Sequence, residues 1–325
     1  MRTMARTTIA TVILAVMIQT AMCTSNCSRI CSPSEFFPNV KGNLTKIVWA
    51  HAVNSQAELE KALSSADVMM LEADVVMGKV NNTSGNYTNI PIMAHPPAKE
   101  SDLSLEEFLN ATNINGKKGI KLDFKSNEAF ESSKPILDRM RRNFKYPLFL
   151  NADILPGPVN ATTANTVPLN ATEFVKGASL VLPESTLSVG WTTRYGKESN
   201  ITEGRYTTEQ LKKMVDTLTE SRITQPVTYP VRAGLVANDI DGMKALLKNT
   251  TSTNVTLTIW SPEGDHVDAA QLSKLIKAVG VDKVYVDVPK DLRSKLNLSG
   301  ASAMTPAMMI NLGASLALMA LSRML

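Results

Sequence analysis

The sequence predicts an α/β protein that folds as a single-domain (β/α)8 TIM barrel. Eight short apolar runs rich in β-branched residues alternate with amphipathic segments, and near-continuous apolar strands are typical of a parallel sheet that is buried on both faces. The predicted barrel covers residues 44–298, close to the roughly 250 residues of a typical domain of this class. An open doubly wound sheet is the alternative, but the eight units come without a switch-point motif, which favours closure into a barrel.

The eight predicted strands lie at residues 46–53, 68–77, 119–125, 147–155, 178–184, 226–233, 254–261 and 283–288. Predicted helices lie between them at residues 55–66, 104–113, 128–144, 207–220, 238–249 and 268–280. In the last helix the apolar residues recur at i, i+3, i+4 and i+7, as in a helix that rests one face on a sheet. Ser104, three residues before Glu107, predicts a capping box. The insertion 78–92 is predicted to be a loop, and Trp191 is placed in the loop after the fifth strand.

Both ends of the chain carry the pattern of a targeting signal. Residues 1–22 are predicted to be a secretory signal peptide, because Arg2 and Arg6 precede an apolar run that is too short to span a bilayer. An N-terminal extension, residues 23–43, leads into the barrel. Residues 299–325 combine small residues with a hydrophobic tail, which predicts a glycolipid-anchor signal, with a single C-terminal membrane span as the alternative. Either interpretation places the barrel on the extracellular face of the plasma membrane.

The composition agrees with passage through the secretory pathway. Asn-x-Ser/Thr sequons occur along the whole chain, at Asn26, Asn43, Asn81, Asn82, Asn86, Asn110, Asn160, Asn170, Asn200, Asn249, Asn254 and Asn297. The cysteines, Cys23, Cys27 and Cys31, cluster near the N-terminus, so the barrel depends on its core rather than on disulfides. The formal net charge of +4 falls to +1 without the three arginines of the two end segments, and no basic run with interleaved aromatics indicates a nucleic-acid partner.

Polar and aromatic side chains follow or end most of the predicted strands, where functional residues of (β/α)8 barrels lie. In chain order they are His51, Asn54, Glu72, Asp74, His95, Lys121, Asp123, Lys125, Asn151, Asp153, Arg232, Trp260 and Asp287. Because residues two apart on a strand point to the same face, we expect these side chains to meet at one rim of the barrel. Six of them are predicted to contact substrate, namely Asn54, Lys121, Asn151, Asp153, Arg232 and Trp260.

Three carboxylates are the candidate metal ligands. Glu72 and Asp74 share one face of the second strand, and Asp123 lies on the neighbouring strand. Like charges at such a density are unfavourable unless a divalent cation neutralises them, and an all-oxygen site favours Mg²⁺ or Ca²⁺ over Zn²⁺. Two of the three histidines of the chain, His51 and His95, are predicted to lie at the same rim, where imidazoles serve as general acid and base near neutral pH.

Structural roles are the alternative for each of these residues. Lys121, Asp123 and Lys125 also fit an internal ion-pair ladder that fills the barrel. Arg232 also fits a counter-charge to Asp287, and single histidines and tryptophans are common in protein cores. The functional interpretation therefore depends on the order, spacing and strand placement of the whole set.

The motifs that contain these residues resemble a known family. They are VWAHAVNS (48–55), MLEADV (70–75), IPIMAHPP (90–97), GIKLDFKS (119–126), LNADILPGP (150–158), LSVGWTT (187–193), YPVRAG (229–234) and LTIWS (257–261). The chain resembles the phospholipase-C-like phosphodiesterase superfamily, which includes glycerophosphodiester phosphodiesterases and sphingomyelinases D, and more closely the menorin family. The resemblance implies a cation held by Glu72, Asp74 and Asp123, with His51 and His95 as the acid–base pair and Lys125 as the phosphate ligand.

The sequence departs from the glycerophosphodiesterases at two places. Ala52 and Val53 stand where those enzymes have Arg-Gly after the first histidine, and Pro96 stands where they have an acidic residue after the second. Their substrate preference is therefore not implied for this chain. Two functions are expected from the sequence. One is a phosphodiesterase acting on a lipid or small-molecule phosphodiester. The other is a non-catalytic surface ligand with cell-surface protein partners, since the menorins resemble one another as extracellular adhesion partners in neuronal patterning.

Overall fold

A computed structural model of the protein describes residues 29–81, 89–161 and 167–301. The predicted signal peptide and nearly all of the predicted anchor segment lie outside these residues. None of the helices in the described ranges is long and apolar enough to cross a membrane. Cys31 is disulfide-bonded, and the two other cysteines lie outside the described residues.

The described residues form one sheet whose eight parallel strands make a nearly closed barrel, as the sequence predicts. In chain order the strands are β1 (Trp49–Ala50), β2 (Met70–Val80), β3 (Ile90–Met93), β4 (Glu100–Ser101), β5 (Gly119–Phe124), β6 (Leu148–Pro156), β7 (Thr186–Thr192), β8 (Val227–Arg232), β9 (Val255–Trp260) and β10 (Val284–Asp287). The barrel order is β1-β2-β5-β6-β7-β8-β9-β10. The strands β3 and β4 pair only with β2, outside the barrel.

Helices surround the barrel as α1 (Pro33–Phe36), α2 (Gln56–Ser64), α3 (Leu105–Asn115), α4 (Asn127–Met140), α5 (Ala171–Val181), α6 (Thr208–Glu220), α7 (Ala233–Val236), α8 (Ile240–Asn249), α9 (Ala269–Val279) and α10 (Lys290–Lys295). The capping box predicted for α3 is present, because Ser104 and Glu107 each accept a hydrogen bond from the other's backbone N–H. Gly116 ends this helix with φ 61°, a left-handed conformation that glycine adopts without strain.

The predicted fifth strand, residues 178–184, is wrong. Its first half belongs to α5, which begins where the Asn170 side chain accepts from the Glu173 backbone N–H. Phe174, Ala178 and Val181 are buried one helical turn apart, so the apolar run is the inner face of a helix. The strand itself is β7, and Trp191 therefore lies on a strand rather than in a loop. Short apolar runs do not distinguish a strand from a buried helix by periodicity alone.

The predicted loop 78–92 is wrong at both of its ends. Strand β2 continues beyond the barrel to Val80, and β3 begins at Ile90 and pairs antiparallel with it. The backbone N–H of Ala94 donates to the carbonyl of Asp74, which fixes the segment after β3 against the barrel strand. This segment carries His95 to the rim.

The interior of the barrel changes from apolar at one end to charged at the other. At the end where the strands begin, the rings of Trp49, Phe149 and Tyr285 contact one another with centroids 5.6–6.1 Å apart. Part of the N-terminal extension covers this end, because Phe37 and Val40 belong to the same buried cluster. Polar side chains replace apolar ones toward the other end, where the candidate site lies.

Candidate metal site at the barrel mouth

A row of polar side chains crosses four neighbouring strands. Asp74 of β2 is the register partner of Asp123 of β5, Asp123 pairs with Asn151 of β6, and Asn151 pairs with Ser188 of β7. Register partners on adjacent strands point to the same face of a sheet. Glu72 precedes Asp74 by two residues and shares its face. The parallel register therefore produces the convergence that the sequence predicts.

The carboxylates of Glu72, Asp74 and Asp123 meet, with one oxygen of each within 4.8 Å of the others. Neutral donors fix their other oxygens. Asn54 Nδ2 donates to Asp74 Oδ2 at 2.8 Å, and Asn151 Nδ2 donates to Asp123 Oδ1 at 2.6 Å. The backbone N–H of Ala52 donates to Glu72 Oε2 at 2.8 Å. The two asparagines therefore orient two of the candidate metal ligands, and their contact with substrate stays a prediction.

Two lysines of β5 and its end balance part of this negative charge. The ammonium of Lys125 lies 2.8 Å from Asp74 Oδ1 and 2.6 Å from Asp123 Oδ2. Lys121 is buried deeper, 3.7 Å from Asp287 Oδ2 and 5.2 Å from the centroid of the Trp49 ring. Burial raises the pKa of Asp123, but the ammonium groups of Lys125 and Lys121 and the hydrogen bond from Asn151 together hold that pKa below its ordinary value. Burial raises the pKa of Glu72, although the neighbouring imidazole opposes this rise.

His51 contacts the carboxylates from the end of β1. Its Nδ1 lies 3.3 Å from Glu72 Oε2 and 3.3 Å from Asp287 Oδ2. The Glu72 carboxylate, with a smaller contribution from Asp287, raises the pKa of His51 to about 9 against the opposing effect of burial. The side chain of His51 remains 59% exposed, so solvent reaches the ring.

His95 lies on the segment after β3, one residue beyond the backbone hydrogen bond between Ala94 and Asp74. It is exposed, and its Nδ1 lies 2.7 Å from the carbonyl oxygen of Pro96. Both histidines thus have Nδ1 next to an oxygen acceptor, which leaves Nε2 as the nitrogen available to a bound molecule.

Asp153 lies two residues beyond Asn151 on β6, beside its register partner Gly190 of β7. Burial raises its pKa to about 7, and the negative charge of Asp123 adds to the rise. A Cβ on residue 190 would lie 2.6 Å from Asp153 Oδ1, so the glycine makes room for this carboxyl group. Asp153 is therefore a further carboxyl group at the mouth, with a pKa close to neutrality.

Arg232 and Trp260 occupy the opposite side of the mouth and are register partners on β8 and β9. Arg232 donates to Asp265 through Nε at 2.7 Å and Nη2 at 2.9 Å, so its counter-charge is Asp265, and the alternative pairing with Asp287 is wrong. The guanidinium also lies 5.2 Å from the Trp260 ring and 5.5 Å from the Tyr195 ring. Its hydrogen bonds are thus directed into the protein rather than toward the mouth.

The donor set fits a hard divalent cation. All three candidate ligands are carboxylates, each held in place by a neutral donor, and oxygen ligands are those that Mg²⁺ and Ca²⁺ prefer. Sequence reasoning missed Ser188, whose hydroxyl hydrogen-bonds Asn151, because the fifth strand was misplaced. It also considered Asp287 only as a counter-charge to Arg232, although the position of Asp287 near the end of the last predicted strand was the available signal for its contact with His51. Asp265 lies in a loop, where no pattern marks it.

The fold and site define a (β/α)8 barrel with an acidic cluster at its C-terminal mouth, and comparison with known proteins identifies the family. The family model of the menorin N-terminal domain matches residues 43–293. The human protein FAM151B is 37% identical over 243 residues, which cover 75% of this chain and 82% of that protein. The chain therefore belongs to the menorin family.

Solved structures with a similar chain path include two phosphodiesterases. One, from Oleispira antarctica in complex with the product sn-glycerol-3-phosphate, has a TM-score of 0.46 and 14% identity over 77% of this chain and 96% of that chain. The other, a glycerophosphodiester phosphodiesterase from Parabacteroides distasonis, has a TM-score of 0.43 and 13% identity over the same shares.

Proposed function

We propose that the protein is a metal-dependent phosphodiesterase whose active site is the C-terminal mouth of the barrel. The observation that carries the proposal is the convergence of three carboxylates within 4.8 Å, with an ammonium group against two of them and an imidazole against the third. Such a set provides groups for cation binding, for phosphate binding and for proton transfer within one cleft.

Glu72, Asp74 and Asp123 would hold one divalent cation, Mg²⁺ or Ca²⁺. When bound, this cation would polarise a phosphoryl oxygen and offset the charge of the transition state. Asn54 and Asn151 keep the two aspartates oriented through the hydrogen bonds at 2.8 and 2.6 Å. Lys125 supplies positive charge at the same place for the anionic phosphodiester.

His51 and His95 perform the proton transfers. Each ring keeps Nδ1 next to an oxygen acceptor and presents Nε2 to the substrate. One imidazole accepts the proton of the attacking hydroxyl as the new P–O bond forms, and the other donates a proton to the leaving oxygen as the old P–O bond breaks. The attacking hydroxyl belongs to water or to the substrate itself, and the second case yields a cyclic phosphate.

The four other residues predicted to contact substrate have different positions in the mouth and therefore different proposed roles. Trp260 is partly exposed at the mouth and offers a ring face to the organic part of a substrate. Asp153 offers a carboxyl group that is partly protonated near neutral pH. Lys121 is buried below the carboxylates and balances their charge, while Arg232 orders the mouth through Asp265.

The experiment is an activity screen of the purified protein with lysophospholipids, glycerophosphodiesters and cyclic nucleotides, in Mg²⁺, in Ca²⁺ and in a chelator. We expect cation-dependent cleavage of at least one class. The double variant His51→Ala, His95→Ala should lose activity by about 10²–10⁴-fold, because that is the usual contribution of acid–base catalysis.

The matched control is His266→Ala, which removes the third histidine, an exposed residue of the loop after β9. This variant should keep full activity. Cleavage that persists in the double-histidine variant would refute the assignment. The other outcome is that the protein cleaves none of the screened compounds while the double variant still binds partner cells like the unaltered protein. That result would favour the non-catalytic surface ligand.

We also propose that the barrel acts outside the cell, tethered to the plasma membrane by its C-terminal segment and carrying N-linked glycans. Of the twelve sequon asparagines, nine lie in the described residues and eight of these are exposed: Asn81, Asn110, Asn160, Asn170, Asn200, Asn249, Asn254 and Asn297. Exposure of this kind suits acceptor sites. Release of the protein from intact cells by a glycolipid-cleaving phospholipase would distinguish a lipid anchor from a membrane span.

A further inference from the structure

The ammonium group of Lys125 contacts the two aspartate oxygens that the asparagines leave free. Asp74 Oδ2 is taken by Asn54, and Asp74 Oδ1 lies 2.8 Å from Lys125 Nζ. Asp123 Oδ1 is taken by Asn151, and Asp123 Oδ2 lies 2.6 Å from the same Nζ. A cation bound by both aspartates through their free oxygens would therefore need the atoms that Lys125 already contacts.

The lysine can move without disturbing the barrel. Its backbone N–H donates to the Val75 carbonyl at 3.1 Å, which fixes the backbone just beyond β5. The side chain is 23% exposed, and a lysine stem is a flexible chain of four methylene groups. The ammonium can thus leave the aspartates while its backbone stays in place.

We propose that Lys125 is an internal counter-ion that a divalent cation must displace from Asp74 and Asp123, and that the displaced ammonium then serves the substrate phosphate. The inference rests on the cation site of the proposed function and assigns Lys125 two successive partners. It follows that Lys125 weakens cation binding and strengthens phosphate binding. A purely structural lysine would not act in opposite directions on the two ligands.

The test compares cation binding by the full-length protein and its Lys125→Met variant, measured by titration calorimetry with Mg²⁺ and with Ca²⁺ alone. We expect the variant to bind the cation at least about tenfold more tightly, because a unit charge within about 4 Å is removed from the site. In the presence of saturating cation, the same variant should bind inorganic phosphate more weakly than the unaltered protein.

Two further variants make the comparison specific. Lys125→Arg keeps the charge and should bind the cation like the unaltered protein. Lys118→Met removes another buried lysine from the same region of the chain, one whose Nζ donates to the carbonyls of Ser65 and Val68 at the opposite end of the barrel. It should leave cation binding unchanged. If Lys125→Met fails to fold, Lys125→Gln retains a hydrogen-bond donor without the charge and takes its place.

The outcomes separate this inference from the proposed function. Equal or weaker cation binding by the Lys125→Met variant overturns the inference but leaves the phosphodiesterase proposal intact. If the Lys125→Met variant binds the cation and the unaltered protein does not, the inference is supported, and the proposal that the natural protein is metal-dependent is overturned. Binding by neither protein overturns both.

Discussion

The two sides of the barrel mouth differ in how their acidic and basic side chains are paired. On the side of β8 and β9, one guanidinium meets one carboxylate in a two-point pair, and both groups are nearly buried, with Arg232 11% and Asp265 2% exposed. On the side of β10, β1, β2, β5 and β6, the carboxyl groups outnumber the cationic groups among them. They are Glu72, Asp74, Asp123, Asp153 and Asp287, against Lys121, Lys125 and the imidazole of His51.

The difference distinguishes charged groups that stabilise the fold from those that we propose bind a cation. The pair on the first side is complete, and the rings of Tyr195 and Trp260 lie against its guanidinium. The Tyr195 hydroxyl lies 2.8 Å from the carbonyl oxygen of Thr202 and 2.7 Å from that of His266, and its one proton is donated to one or the other, so the loops after β7 and β9 meet at this pair. On the second side the carboxyl groups still outnumber the cationic groups, so a cation that binds the folded protein there would stabilise it.

Breaking the ion pair between Arg232 and Asp265 should produce the largest loss of stability. Asp265→Ala leaves Arg232 without its counter-charge in a nearly buried position, and removal of one partner from such a pair destabilises a protein by about 3–5 kcal/mol. Urea unfolding followed by circular dichroism measures the loss.

Two variants sharpen that result. The double change Arg232→Met, Asp265→Ala should recover most of the loss, because no unpaired charge remains. Asp123→Asn removes one carboxylate from the other side, where Lys125 keeps Asp74 as a partner, and should change stability by only about 1 kcal/mol in a chelator. Equal losses in Asp265→Ala and Asp123→Asn would contradict the distinction between the two sides.

A smaller effect is expected at Asp153, with a defined dependence on pH. Burial raises the pKa of this carboxyl group from 3.8 to about 7, so the folded state binds its proton more strongly than the unfolded state does. The stability that this group contributes is present below pH 3.8 and is lost as the pH rises through 7. Asp153→Asn does not titrate and should therefore gain about 2 kcal/mol relative to the unaltered protein between pH 5 and pH 8.

Thermal unfolding of both proteins in a chelator, across this pH range, gives the measurement. The advantage of the variant should grow up to about pH 7 and then level off as the carboxyl group becomes ionised in both states. A constant difference at all pH values would mean that Asp153 keeps an ordinary proton affinity in the folded protein.

The acidic side of the mouth was predictable from the sequence because its geometry is local. Alternation along β2 places Glu72 and Asp74 on one face, and the order of the strands places Asp123 next to them. The identity of the eight barrel units followed from apolar runs and helical periodicity in the same way. Only the fifth strand was predicted at the wrong place, because the apolar face of α5 has the same short apolar run as a strand.

The contacts that close the mouth were not predictable, because they join residues that are distant in the chain. His51 and Asp287 are 236 residues apart and meet only because β10 returns to the neighbourhood of β1. The sequence offered only Asp287 as a counter-charge for Arg232, whereas the observed pairing with Asp265 depends on the loop after β9, where no repeating pattern exists. Side-chain periodicity predicts which face of a strand a residue lies on. Which residues pair across the barrel depends on how the barrel closes, and the pattern does not show this.

The smallest effect, and the most direct probe of the acidic side, is the proton affinity of His51. In the cation-free protein the Glu72 carboxylate raises the pKa of this imidazole to about 9. A divalent cation on Glu72 would neutralise that carboxylate and repel the protonated ring, so the pKa should fall by about one unit or more. Nuclear magnetic resonance titration of the imidazole signals, in a chelator and in saturating Mg²⁺, measures the change.

Glu72→Gln provides the control for this titration. It removes the largest cause of the shift, so the pKa of His51 should be lower than in the unaltered protein even in a chelator, and added Mg²⁺ should have little further effect. If Mg²⁺ binds the unaltered protein but leaves the His51 titration where it was, the ion does not occupy Glu72. In that case Asp74 and Asp123 would hold it without the carboxylate that links the metal to the histidine, and the cation and the imidazole would act as separate sites.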